Sequence, residues 1–193
     1  MVKLSYQQAS DLGTTFATGV RDIIRYTTDE ANRAMNAGLP LIRFLHPSKV
    51  RGFKAMWAAL LEATAVWVVC QECPEYRTND KFVKKTLFQL DSTLEMLLPN
   101  VFKELSPEQL EHYEQARKKL IFLAMQPDAV KSDLSERFLV LLHGEGSKRI
   151  TDKTQLTTLK QVTMSASVFQ SLFEIELGIN KKKDEKLNQK IAG

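Results

Sequence analysis

Apolar residues recur at helical spacing along this chain almost from its start to about position 178. In "SYQQASDLGTTFATGVRDII", Ala9, Leu12, Phe16, Val20, Ile23 and Ile24 follow one another in helical steps, which places them on one face of a helix. Ser5 precedes that stripe with Gln8 three residues on, the spacing of a capping box. Thr27 and Glu30 repeat the spacing, so the segment reads as one long helix or two, closed by Gly38 and Pro40. "LPLIRFLHP" then reads as a short helix between Pro40 and Pro47.

From about residue 50 to 72 the pattern changes. Phe53, Met56, Trp57, Leu60, Leu61, Val66, Trp67 and Val69 leave almost no polar face, and a helix apolar all round must be enclosed by others. This is the predicted central helix. Val83, Leu87, Leu90, Leu94 and Leu97 then form an a/d seam that ends at Pro99. Ser106, Pro107 and Gln109 are an N-cap, a first-turn proline and a capping-box partner. They open a helix whose expected buried face is Leu110, Tyr113, Leu120 and Leu123, ending before Pro127.

Asp133 to Glu136 opens another helix, stopped by Gly144. A last long helix begins near Thr151 with the expected stripe Leu156, Leu159, Val162, Ala166, Phe169, Phe173 and Leu177, and stops at Gly178. No segment alternates with period two, and neither Asn-Gly nor Asp-Gly occurs. The reading is an all-α, single-domain bundle of about seven to eight helices over residues 1–178, with a basic tail over 179–193.

Composition fits that reading. Of 193 residues, 44% are hydrophobic and 26% charged, the balance of an ordinary globular domain. No apolar run follows Lys3, so no secretory leader is expected. "AMWAALLEATAVWVVC" is short for a membrane span and carries Glu62 at its middle; no transmembrane span is expected. Two cysteines without a leader point to the cytoplasm or another reducing compartment, not secretion.

The net charge of +4 is unevenly placed. Residues 41–60 hold Arg43, Lys49, Arg51 and Lys54 with no acid. The last thirteen residues hold five lysines, among them Lys181, Lys182, Lys183 and Lys186, against two acids. With His46, the cations of "RFLHPSKVRGFK" and of the tail are candidate contacts for nucleic-acid phosphates or an anionic membrane surface. Phe44 and Phe53 lie between them and could stack on bases, though at helical spacing such rings belong more often to a core. The tail reads equally as a solvated terminus.

Chemistry-bearing motifs are few. Cys70 and Cys73 form a Cys-x-x-Cys, but it follows an apolar run and precedes Pro74. It therefore sits at a helix C-terminus, where the dipole disfavours thiolate. Half a zinc site is the weaker alternative, because His46, His112 and His143 are each alone. His112 lies among Glu108, Glu111 and Glu114, but Gln109 occupies the place three before it where a di-iron bundle carries glutamate. "GEGSKR", residues 144–149, lacks the spacing and the strand of a phosphate loop. Gly13, Ala17 and Gly19 would let a helix come close to the first one.

No catalytic residue, metal or cofactor is assigned, and no enzyme is expected. The expected function is that of a non-catalytic helical interaction protein: a scaffold, adaptor or assembly subunit working through helix faces, with a protein partner or by self-association. The alternative is a nucleic-acid-associated or matrix-like, anionic-membrane-associated protein. It would use the turn at 43–54 and the lysine tail.

Overall fold

The computed structural model describes residues 4–35 and 47–179, with side chains over 4–25 and 51–179. Among these residues the chain forms α1 (Tyr6–Met35), α2 (Pro47–Glu72), a 3-10 turn (Pro74–Thr78), α3 (Asp80–Leu97), α4 (Pro99–Phe102), α5 (Pro107–Ala124), α6 (Lys131–His143) and α7 (Asp152–Glu176), and no strand. The all-α bundle read from the spacing is the fold observed.

Its centre is α2. Every residue from Ala55 to Val66 is buried, because α1, α4, α5, α6 and α7 all pack against this helix. A large apolar side chain fully withdrawn from water contributes about 1.5–3 kcal/mol, and α2 buries Trp57, Leu60 and Leu61 completely. Trp57 meets Phe138 of α6 edge-on at 5.7 Å, and Phe16 of α1 meets Phe169 of α7 in the same way at 5.6 Å. These edge contacts suit the ring quadrupoles and tie three outer helices into one core.

The caps follow the sequence. Gln8 and Ser5 exchange hydrogen bonds at the start of α1. Ser106 and Gln109 do so at the start of α5, behind Pro107. Thr151 caps α7 through the Thr154 amide. Gly144 and Gly178, with φ of 85° and 63°, end α6 and α7 in a conformation that a side chain would strain.

The close approaches are internal. A Cβ added at Gly13 would stand 2.5 Å from the Thr86 carbonyl oxygen of α3, and one at Gly19 would stand 2.7 Å from Leu172 Cδ1 of α7. Backbone nearly touches backbone at the first site. The Thr86 hydroxyl completes it by donating to the Ala9 carbonyl at 2.9 Å.

Several expectations change. Thr27 starts nothing, since α1 continues through it to Met35. The short helix expected over 39–47 and the breakers Gly38 and Pro40 lie outside the described residues. Pro47 is the first residue of α2, a position where its missing N–H costs no hydrogen bond. Helix α6 starts at Lys131, and Asp133 is the residue that turns back to accept the Val130 amide. Leu156 and Leu110, both placed on buried faces, are exposed. On α7 the buried line is Thr154, Thr158, Val162, Ala166, Phe169 and Phe173, because buried threonines occupy the turns where leucines were expected. The 3-10 turn and α4 were not anticipated; prolines open both.

Candidate functional site

Of the basic turn, Arg43 and His46 lie outside the described residues, and Lys49 belongs to α2 without a described side chain. Arg51 is 28% exposed and its guanidinium pairs with Glu104 at 3.1 Å, so its charge is already answered within the fold. Lys54 is half-buried on the same helix. Lys181, Lys182, Lys183 and Lys186 lie outside the described residues. The structure therefore brings Arg51 and Lys54 to one end of α2.

Cys70 and Cys73 are both wholly buried, and neither is in a disulfide. Burial pushes each thiol from its ordinary 9.0 up to about 11, and the nearby Arg77 only partly offsets this at Cys70. That is the reverse of thiolate activation. Among the described residues no three His, Cys, Asp or Glu side chains gather in a way that could hold a metal ion. His112 is exposed and its ring nitrogen contacts the Leu141 carbonyl at 3.0 Å. Gly144 and Gly146 shape an exposed turn after α6.

Two features lie elsewhere. The first is a buried ionic cluster built on Glu62, at the middle of α2 and 0% exposed. From α5, the Tyr113 hydroxyl donates to Glu62 Oε1 at 2.8 Å and Arg117 Nε donates to Oε2. Arg117 also pairs through Nη2 with Asp91 of α3. One guanidinium thus links three helices through two carboxylates. Burial opposes charge on Arg117, but Glu62, Tyr113 and Asp91 more than compensate and hold it protonated. Burial, together with the Glu62 carboxylate, lifts Tyr113 well above the usual phenol range.

A cleft of about 370 Å³ opens over this cluster between α3, α4 and α5. Asp91, Glu95 and Glu114 line it with Lys103 and Arg117, against apolar walls that include Phe102 and Leu110. Partial burial, joined by Glu62 and Glu95, pushes Asp91 up to about 7 against the pull of Arg117. Through Glu62, Arg117 and Asp91 the cluster joins α2, α5 and α3.

The second feature is the outward face of α7. Met164, Val168 and Ile175 are 60%, 43% and 66% exposed. They fall on one stripe of the helix; the stretch "QVTMSASVFQSLF", which carries the first two, holds no charged residue, and Ile175 follows it between Glu174 and Glu176. Beside them, the Ser167 and Ser171 hydroxyls donate to the carbonyls of Thr163 and Ser167, each at 3.1 Å. Their polarity is turned into the helix backbone. Between Lys160 and Glu174 this face carries no charge.

Comparison with protein-family models, with curated proteins and with solved structures finds no match.

The sequence reading passed over both features. Glu62 was weighed only as an obstacle to a membrane span, and Tyr113 only as core. The α7 stripe was legible as Met164, Val168 and Ile175 at helical spacing, but the phenylalanine stripe behind it claimed the helix.

Proposed function

We propose that the protein is a non-catalytic helical interaction protein, a scaffold, adaptor or assembly subunit that engages a protein partner through the exposed face of α7. The observation that carries this reading is the exposed apolar stripe of Met164, Val168 and Ile175 on a helix whose opposite face is locked into the core. A surface of this kind, apolar and flanked by hydroxyls already bonded within the helix, loses little hydration when a second helix covers it. Helix-in-groove and helix-on-helix recognition rests on apolar anchors that share one helix face in this way.

The test is a photo-activated cross-linking residue placed at Met164 or Val168, with Glu136 on the exposed side of α6 as the control. Under this reading the α7 positions give discrete protein adducts in cells, and these disappear when Ile175→Glu is added. Equal adducts from α7 and from position 136, or none from α7, would remove it.

A further inference from the structure

We propose that the partner on this face is a second copy of the chain, its α7 lying antiparallel across the first with the two-fold axis beside Ser167 and Val168. The proposal rests on the helix-face reading above and names the occupant.

Three observations argue for it. At about 100° per residue, Lys160, Met164, Val168, Ser171 and Ile175 share one arc of the helix, and all but the lysine and the serine are large exposed hydrophobics. With the axis beside Ser167 and Val168, an antiparallel copy sets Met164 over the small Ser171 of the second copy. Val168 then meets its own counterpart. Large against small is the complement that packed helices need, and the bonded serine hydroxyls raise no desolvation demand.

Charge selects the direction. The first charge toward the N-terminal end of this uncharged stretch is Lys160, and the first toward the C-terminal end is Glu174. In the antiparallel register each Lys160 comes beside Glu174 of the second copy, on the same edge of the contact, while its methylene stem covers Ile175. A parallel pair would set Lys160 against Lys160. An isologous contact of this kind closes on itself and gives a dimer, not a filament.

The experiment is sedimentation velocity with light scattering on the full chain, from low to high micromolar concentration, with circular dichroism to verify each variant's fold. A monomer–dimer equilibrium is expected. Val168→Glu sets two carboxylates against each other at the axis and is expected to weaken dimerisation by more than about tenfold. Lys160→Glu weakens it too, and adding Glu174→Lys to that variant restores it. Lys160 and Val168 are exposed and Glu174 is half-buried at the edge of the face, so the fold is expected to survive the changes.

A monomer at every concentration overturns the proposal, as does a dimer indifferent to Val168→Glu. A double charge swap no better than Lys160→Glu alone overturns the antiparallel register. The two readings separate cleanly: a monomer that still cross-links from α7 to other proteins leaves helix-face function standing and removes only self-association. A monomer with no α7 adducts removes both.

Discussion

Glu62 and Arg117 stand 55 residues apart in the sequence and meet inside the bundle, the carboxylate at the middle of α2 and the guanidinium on α5. Without Arg117 the buried Glu62 keeps only the Tyr113 hydroxyl, and without Glu62 the guanidinium keeps only Asp91. A buried ion pair need not stabilise a fold relative to apolar residues of the same volume, yet breaking one is costly.

Arg117→Met is therefore expected to lower stability by about 3–5 kcal/mol, because it leaves the buried Glu62 carboxyl without its cationic partner. Glu62→Leu combined with Arg117→Met should recover most of that loss. Tyr113→Phe, which removes one hydrogen bond to the carboxylate, should cost about 1–3 kcal/mol. Urea unfolding followed by far-ultraviolet circular dichroism measures all three. A loss below about 1 kcal/mol for Arg117→Met would show that the pair does not hold the helices together.

The pH dependence of stability has two opposed contributions. Asp91 stands near 7 in the folded chain against an ordinary 3.8. Between those values the folded state holds a proton that the unfolded state has released. Stability from this group therefore falls as pH rises through the window. His143 is held below its ordinary 6.5 by burial and by Arg149. Below 6.5 the unfolded state takes up a proton that the folded state resists, so stability from this group rises with pH. Asp91→Asn should leave a profile that rises toward neutrality, and His143→Gln one that falls. Profiles that both variants leave unchanged would contradict the two assignments.

How much of this was legible depended on the range of the interaction. The capping boxes at Ser5 and Ser106 are contacts across three residues and stand where their residues predict them, and α7 begins at Thr151 as its stripe predicts. The central helix was equally legible, since a segment without a polar face leaves one packing solution. The ionic cluster was not, because its members come from three helices and no local spacing relates them. Leu156 was misplaced for a different reason. Helix α7 has apolar residues on both faces and threonines throughout, so periodicity alone could not choose which stripe faces inward.

The two close-packed glycines should respond differently to alanine. Both stand inside α1, where alanine raises intrinsic helix stability by about 1 kcal/mol. At Gly13 the new Cβ would meet the Thr86 carbonyl oxygen, a backbone atom held in α3. Helix α3 must shift, and overpacking of this kind costs about 1–3 kcal/mol. At Gly19 the nearest obstacle is the end of the Leu172 side chain, which can turn aside, and the Phe169 ring edge at 3.1 Å needs to give only by a few tenths of an ångström. Gly13→Ala is expected to lower the urea midpoint, and Gly19→Ala to leave it within error or raise it. The reverse order would show that α1 rests less closely on α3 than on α7.

The cysteine pair offers a direct test of what "VVCQECPEY" is for. Both thiols stand near 11 in the folded chain, two units above their ordinary value, because burial penalises the thiolate. At pH 8 the native protein should react with an aromatic disulfide reagent far more slowly than the same chain in denaturant. The rate should follow unfolding, falling in stabilised variants and rising in Arg117→Met. The sign of the linkage is also set. Above about pH 9 the unfolded thiols lose protons that the folded ones retain, so stability declines with further alkalinity, less so in Cys70→Ala with Cys73→Ala. A fast reaction of either thiol in the native state would reverse the structural reading and make the pair a reactive one.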